Sequence, residues 1–246
     1  MNLQDFFQIN KKVAVAFSGG TDSAYLLYAA KKYGANAKGY FVKTPFQPHF
    51  ELDDAKHLAG TLQFDFSVIT LDIIGNSKVT ANEKDRCYHC KRAIFTALKD
   101  AAQRDGFNVI LDGTNASDDE GDRPGMRAIS ELSVLSPLRI CGIDKATVRK
   151  LSKEAGLFTW DKPSYSCLAT RIPTGTIITS ESLQKVEKSE NLLFSLGFSD
   201  FRARMISENT VNLQFAENQF LTAKNKSHVI IDNLKEIFTE VLFDIR

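Results

Sequence analysis

The sequence predicts an α/β fold followed by a small α+β region, and three features carry that prediction. From the start to about residue 149, short β-rich runs alternate with helix-length amphipathic segments, the pattern of a parallel sheet covered by helices on both faces. Residues 162–175 are rich in Pro, Ser, Thr and Gly and break the alternation. Beyond them one long helical segment is followed by a strand pair, a helix and a last strand. The expected layout is an α/β domain over 1–160, a loop over 161–178 and a small α+β domain over 179–246.

Residues 13–17 (Val-Ala-Val-Ala-Phe) are apolar, bounded by lysines and a Ser-Gly-Gly, and read as the first strand. Residues 38–42, 66–69, 109–112 and 134–138 read as the strands that follow it. Helical periodicity covers 23–33, 51–63, 90–104 and 144–155, so strands and helices take turns. In the last part, 181–196 and 227–238 read as helices, 201–206 and 210–215 as a strand pair, and 240–245 as a final strand. The handedness of parallel connections then brings the strands' carboxyl ends to one edge, where ligands bind.

The 246 residues carry 31 Lys+Arg against 30 Asp+Glu, a formal charge of +1, and 43% are hydrophobic, as in soluble globular proteins. The longest unbroken apolar run, residues 24–30, is seven long, far short of the roughly 20 a membrane helix needs. The opening MNLQDFFQINKK lacks the apolar core of a signal peptide, so a cytoplasmic protein is expected. In that compartment four cysteines point to metal or redox chemistry more than to disulfides. A near-zero charge argues against a large nonspecific nucleic-acid surface.

The strongest motif is Ser18-Gly19-Gly20-Thr21-Asp22-Ser23, lying between the first strand and the first long helix. Two glycines let the backbone turn tightly and approach an oxyanion, while unpaired N–H groups at a helix start favour negative charge. Ser18 and Ser23 add hydroxyl donors. Asp22 would be repelled by bare phosphate, so it makes sense as a contact to Mg2+ carried by a nucleotide. The loop lacks the lysine of a Walker motif and the three-glycine spacing of a dinucleotide fingerprint. It resembles instead the PP-loop of the ATP pyrophosphatases, whose fold is Rossmann-like (adenine nucleotide alpha hydrolase-like) and which cleave ATP between the α and β phosphates.

A second segment, Asp112-Gly113-Thr114-Asn115, leaves the strand at 109–112 for the same sheet edge and is followed by Asp122-Arg123-Pro124-Gly125. From spacing alone this is equally a solvated acidic turn with Asp122 capping a helix that starts at Pro124. Together with RCYHCK (residues 86–91) and SCLATRIP (166–173), these motifs closely resemble the LarE family over nearly the whole chain. The resemblance implies an ATP-dependent sulfur transferase that adenylates a carboxylate of pyridinium-3,5-biscarboxylic acid mononucleotide and converts it to a thiocarboxylate, for the nickel-pincer nucleotide cofactor. It implies that Ser18, Gly19, Gly20, Asp22 and Ser23 hold ATP and Mg2+, with Gly113 beside the nucleotide. It also implies that Arg171, Arg202 and Arg204 hold the substrate phosphate. Arg202 and Arg204 stand two apart on one strand, where guanidinium forks suit phosphate, although a solvated, ion-paired face has the same spacing. Members of the family often carry an acid where Gln214 stands here, linked with an acid matching Glu190 to a metal contact, so the resemblance does not carry that metal site over to this chain. A homo-oligomer is also implied, and the sulfur donor is not indicated.

Cys167 matches the sulfur-bearing position of members that sacrifice their own cysteine and keep dehydroalanine in its place. Cys87 and Cys90 stand three apart at a helix start, a spacing that alone also admits zinc (His89 or Cys141 as the fourth ligand), less readily a redox pair, or coincidence. The preferred expectation is a 4Fe-4S cluster on Cys87, Cys90 and Cys167, whose open iron carries a terminal sulfide. Cys141 reads as a small core residue. The alternatives are a PP-loop tRNA thiolase, an amide-forming synthetase that would not need Cys167, and a nucleotide-binding protein without turnover.

Overall fold

A computed structural model describes residues 1–118 and 124–246. The chain divides into two compact units, Met1–Ile73 with Asp85–Ser164, and Ile74–Lys84 with Tyr165–Arg246.

The first unit begins with α1 (Leu3–Ile9), closed by a capping box between Asn2 and Asp5. It continues through β1 (Lys12–Ala16), α2 (Thr21–Lys32), β2 (Asn36–Lys43), α3 (His49–Leu62) and β3 (Asp65–Thr70). A short α4 (Ser77–Thr80) belongs to the second unit, and the first resumes with α5 (Arg86–Arg104), β4 (Val109–Leu111), α6 (Pro124–Glu131), α7 (Pro137–Ile140) and α8 (Lys145–Glu154). The sheet is parallel, in the order β3-β2-β1-β4. Successive residues of a strand bury on opposite faces: Val13 and Val15 join one apolar core with α2, while Ala14 joins another with Tyr40, Val42, Phe95 and Ile110. That burial on both sides is why β1 reads as an uninterrupted apolar run. Ala24, Leu26, Leu27, Ala29 and Ala30 of α2 are fully buried, which explains a helix apolar on most of its circumference.

The fifth strand expected at 134–138 is not formed. Leu135 alone bridges Leu111, with its N–H donating to the Ile110 carbonyl at 2.9 Å. Pro137 has no N–H to extend the ladder, and its fixed φ starts α7 instead. The helix expected at 90–104 begins earlier, at Arg86, so that Cys87 and Cys90 both lie near its start. The expected Asp122 cap on α6 lies outside the described residues.

The second unit contains α9 (Ser180–Ser195), β5 (Phe201–Met205), β6 (Thr210–Phe215), α10 (Glu217–Asn225), α11 (Ser227–Leu234) and β7 (Glu240–Ile245). Its sheet runs β5-β6-β7, antiparallel and then parallel. The helix expected at 227–238 ends at Leu234, and α10 was not legible in the periodicity. Asn82 adopts φ 57° and stitches residues 74–84 to this unit, its side-chain amide donating to the carbonyls of Ile172 (3.3 Å) and Pro173 (2.7 Å). Among the described residues no helix is long and apolar enough to cross a membrane.

Candidate functional site

In the first sheet the chain moves from β1 outward through β2 to β3, whereas β4 lies on the other side of β1. The carboxyl ends of β1 and β4 therefore flank a topological switch point, where α/β sheets open a crevice. Residues 18–23 leave β1 there and residues 112–115 leave β4, and both segments line a cavity of about 350 Å³.

The phosphate loop is wound around its own hydroxyls. The Ser18 N–H donates to Ser23 Oγ at 3.2 Å, the two serine Oγ atoms are 3.2 Å apart, and the Gly20 N–H reaches Ser18 Oγ at 3.4 Å. Gly20 is the N-cap of α2 and no side chain caps that helix, leaving its first-turn N–H groups for an anion. Gly19 has φ +72°, and a Cβ there would sit 2.8 Å from the Glu51 carbonyl oxygen of α3. A Cβ on Gly113 would come within 3.0 Å of Ser23 N and 3.2 Å of Asp22 Cβ. Glycine at 113 thus lets the β4 exit pack directly on the loop, a physical reason for a residue that sequence reasoning linked to the nucleotide through resemblance alone. Thr21, buried, donates its hydroxyl to the Thr159 carbonyl at 2.7 Å and anchors the start of α2.

Asp22 accepts from Asn115 Nδ2 at 3.4 Å and is paired with the Lys145 ammonium. Lys145 opens α8 behind its N-cap Asp144, whose carboxylate takes the Thr147 N–H at 2.8 Å and is held below the ordinary carboxylate range by the Thr147 side chain and backbone. Buried Asp112 accepts from the Thr114 hydroxyl and from Ser136 Oγ at 2.6 Å, shaping the turn after β4. Sequence reasoning missed Lys145 as a partner of the loop. The available signal was its place beside an Asp cap, which says nothing of a loop 123 positions earlier.

In the second unit, the expected phosphate arginines differ in exposure. Arg171 is 1% exposed and pairs with the equally buried Glu190, Nε to Oε1 at 2.8 Å and Nη2 to Oε2 at 3.4 Å. Its Nη1 donates to Thr170 Oγ1 at 2.6 Å. Arg202 is 6% exposed and donates to its neighbour's Phe201 carbonyl at 2.6 Å. Burial, with the positive charges of Arg171 and Arg246 nearby, lowers its pKa. Arg204 is exposed. The Tyr165 ring lies under both buried guanidiniums, 4.8 Å from Arg171 and 5.6 Å from Arg202. Gln214 stands opposite Arg202 in the β5–β6 register.

Cys87 is exposed, with Arg86 Nη2 3.8 Å from its sulfur, and Cys90 is half-buried. His89 pairs with Asp85 at 3.1 Å. Half-buried Cys167 caps a 3₁₀ turn, Leu168–Arg171, its carbonyl accepting from the Thr170 N–H and hydroxyl. Cys141 packs against the apolar core, and burial raises its thiol pKa, as an inert thiol requires. Among the described residues no three or more His, Cys, Asp or Glu side chains are grouped to hold a metal ion.

No protein-family model matches the chain. It is similar to the pyridinium-3,5-bisthiocarboxylic acid mononucleotide synthase of Lactiplantibacillus plantarum, 33% identical over 196 residues that cover 79% of this chain and 71% of that enzyme. An uncharacterized protein of Synechocystis sp. is 36% identical over 82% of this chain and 76% of its own length. The tRNA-specific 2-thiouridylase MnmA of Thermotoga petrophila is 27% identical over 68% of this chain and 58% of that enzyme.

Proposed function

The chain belongs to the LarE family, and from that membership we propose that it is an ATP-dependent sulfur transferase acting on pyridinium-3,5-biscarboxylic acid mononucleotide. The observation that supports the nucleotide half best is the glycine-bearing loop at the switch point, packed against Gly113. In this proposal Ser18, Gly19, Gly20 and Ser23 hold the triphosphate, and Asp22 takes the Mg2+ that ATP carries, exchanging its Lys145 partner for the cation. A substrate carboxylate oxygen attacks the α-phosphorus, the α–β bridge breaks and pyrophosphate leaves. Sulfur then attacks the acyl carbon and AMP leaves, which gives the thiocarboxylate directly from a sulfide and a thioester from a cysteine thiolate. Arg202 and Arg204 take the mononucleotide phosphate. Arg202 is buried among charges of both signs, Arg171 and Arg246 against Glu190 and Asp200, a setting in which a guanidinium can take a phosphate. Arg171, the third expected phosphate residue, contributes from its place against Glu190.

Cys167 takes part in both forms of the proposal, as the sulfur donor in one and as a cluster ligand in the other. In the sacrificial form its thiolate becomes acylated, a base removes the Cα proton, and the Cβ–S bond breaks to leave dehydroalanine and the thiocarboxylate. In the other form Cys87, Cys90 and Cys167 ligate a 4Fe-4S cluster, whose open iron would supply sulfide. Thiols suit that group, although among the described residues no donor set is grouped to hold it. The likeness to a thiouridylase keeps a nucleobase acceptor as the second reading. The cytoplasmic, homo-oligomeric state expected above completes the proposal.

One experiment tests these together. Protein purified without oxygen is assayed for iron, then given ATP, Mg2+ and the mononucleotide, and its intact mass is read after one turnover. Loss of a hydrogen sulfide equivalent with little iron selects the sacrificial form. Near four irons per chain without mass loss selects the cluster. Failure to form AMP and thiocarboxylate, with thiolation of tRNA instead, would overturn the substrate assignment.

A further inference from the structure

Glu190 is an unusual place for a carboxylate: it lies inside α9 and is 1% exposed. An acid so buried needs donors on both oxygens, and the structure provides them. Oε1 accepts from Arg171 Nε at 2.8 Å and from the Ala203 N–H of β5 at 3.0 Å. Oε2 accepts from Arg171 Nη2 at 3.4 Å and from the Tyr165 hydroxyl. Tyr165 and Arg171 bracket Cys167 in sequence, so one carboxylate ties down the chain on both sides of that cysteine. The turn between them is closed by the Cys167 carbonyl on Thr170, whose Oγ1 is in turn held by Arg171 Nη1 at 2.6 Å. The Tyr165 ring fills the space beneath the guanidiniums of Arg171 and Arg202.

We infer that Glu190 is a positioning residue for sulfur transfer, a buried clamp that fixes the 165–171 turn and with it the Cys167 sulfur through Tyr165 and Arg171. The assignment rests on Cys167 being the sulfur-bearing residue. With a donor on each of its oxygens, Glu190 has no vacant oxygen for a metal contact.

The test uses Tyr165→Phe, which removes one hydroxyl, and Glu190→Gln, which keeps the shape but not the charge. Alkylation of Cys167 by iodoacetamide is followed by mass spectrometry across a pH series, and amide hydrogen exchange is read peptide by peptide. A charge-assisted bond to a buried carboxylate is strong enough that its loss should raise the open population of the turn by about tenfold or more, and alkylation of half-buried Cys167 should accelerate by up to that factor. Exchange should rise over 165–171 and stay low in β6, and the rate of sulfur transfer should fall while ATP binding to the first unit is retained. Unchanged Cys167 alkylation and unchanged exchange over 165–171 in Tyr165→Phe would overturn the clamp, even if Glu190→Gln failed to fold. An exchange increase spread equally over β6 would also overturn it, since that marks general loosening. If the parent protein transferred no sulfur while the alkylation pattern held, the clamp would stand and the sulfur role of Cys167 would fall.

Discussion

Gly19→Ala should convert a conformational requirement of the phosphate loop into a measurable loss. The backbone at Gly19 has φ +72°, where an alanine costs about 1–2 kcal/mol relative to glycine. The added Cβ would stand 2.8 Å from the Glu51 carbonyl oxygen and 3.2 Å from the Ala55 nitrogen, both backbone atoms of α3 that cannot swing aside as a side chain can. Forcing in a methyl group against such neighbours costs roughly 1–3 kcal/mol. The sum is about 2–5 kcal/mol if the loop keeps its path. A typical domain has about 5–15 kcal/mol in hand, so the variant should still fold. The loop can relieve part of the cost by moving off α3, which takes its N–H groups away from the triphosphate. Urea unfolding should therefore show at least about 1–2 kcal/mol of destabilisation, and calorimetric titration should show ATP affinity reduced by about tenfold or more. Gly60→Ala is the control: Gly60 lies in α3 with nothing near its missing Cβ and no positive φ, so alanine there should stabilise by up to about 1 kcal/mol and leave ATP binding alone. A Gly19→Ala protein as stable as its parent with the same ATP affinity would refute the loop geometry.

Asp22→Ala should abolish pyrophosphate release from ATP and Mg2+, measured with a coupled phosphate assay; undiminished release would remove the assignment of the loop. Arg202→Ala and Arg204→Ala should each weaken binding of the mononucleotide by about one to two orders of magnitude, the worth of a charge-assisted phosphate contact, while ATP affinity is unchanged. Asp105 accepts from Lys38 Nζ at 2.6 Å and the Tyr40 hydroxyl at 2.7 Å, and these bonds lower its pKa. A carboxylate with a depressed folded-state pKa contributes stability above its ordinary pKa that is lost as pH falls through the folded value. Denaturant midpoints should therefore drop below about pH 4, and less steeply in Asp105→Asn.

Much of the fold follows from local pattern. The apolar run of β1, the glycines at its end and the buried face of α2 are consecutive in the chain, so hydrophobic periodicity and turn chemistry locate the phosphate loop to within a residue or two. Where local pattern misled, a backbone constraint or a competing environment decided. Residues 134–138 carry strand-like side chains, but Pro137 ends the ladder after Leu135. The weakly patterned α10 is exposed over most of its length, so its sequence needed no apolar stripe that periodicity could detect. Of the proposed functional residues, the sequence alone supplies the chemistry: hydroxyls, an acid and glycines in residues 18–23, thiols at Cys87, Cys90 and Cys167, and guanidiniums at Arg171, Arg202 and Arg204. Only the tertiary structure decided who partners whom. Lys145 meets Asp22 because α8 returns beside the β4 exit, and Glu190 meets Tyr165, Arg171 and Ala203 because α9 packs across β5 and the turn before it. The physical reason is that a secondary-structure period is written in neighbouring residues, whereas an ion pair between elements is set by where those elements cross, and for a buried pair such as Arg171–Glu190 removing one partner leaves the other charge uncompensated.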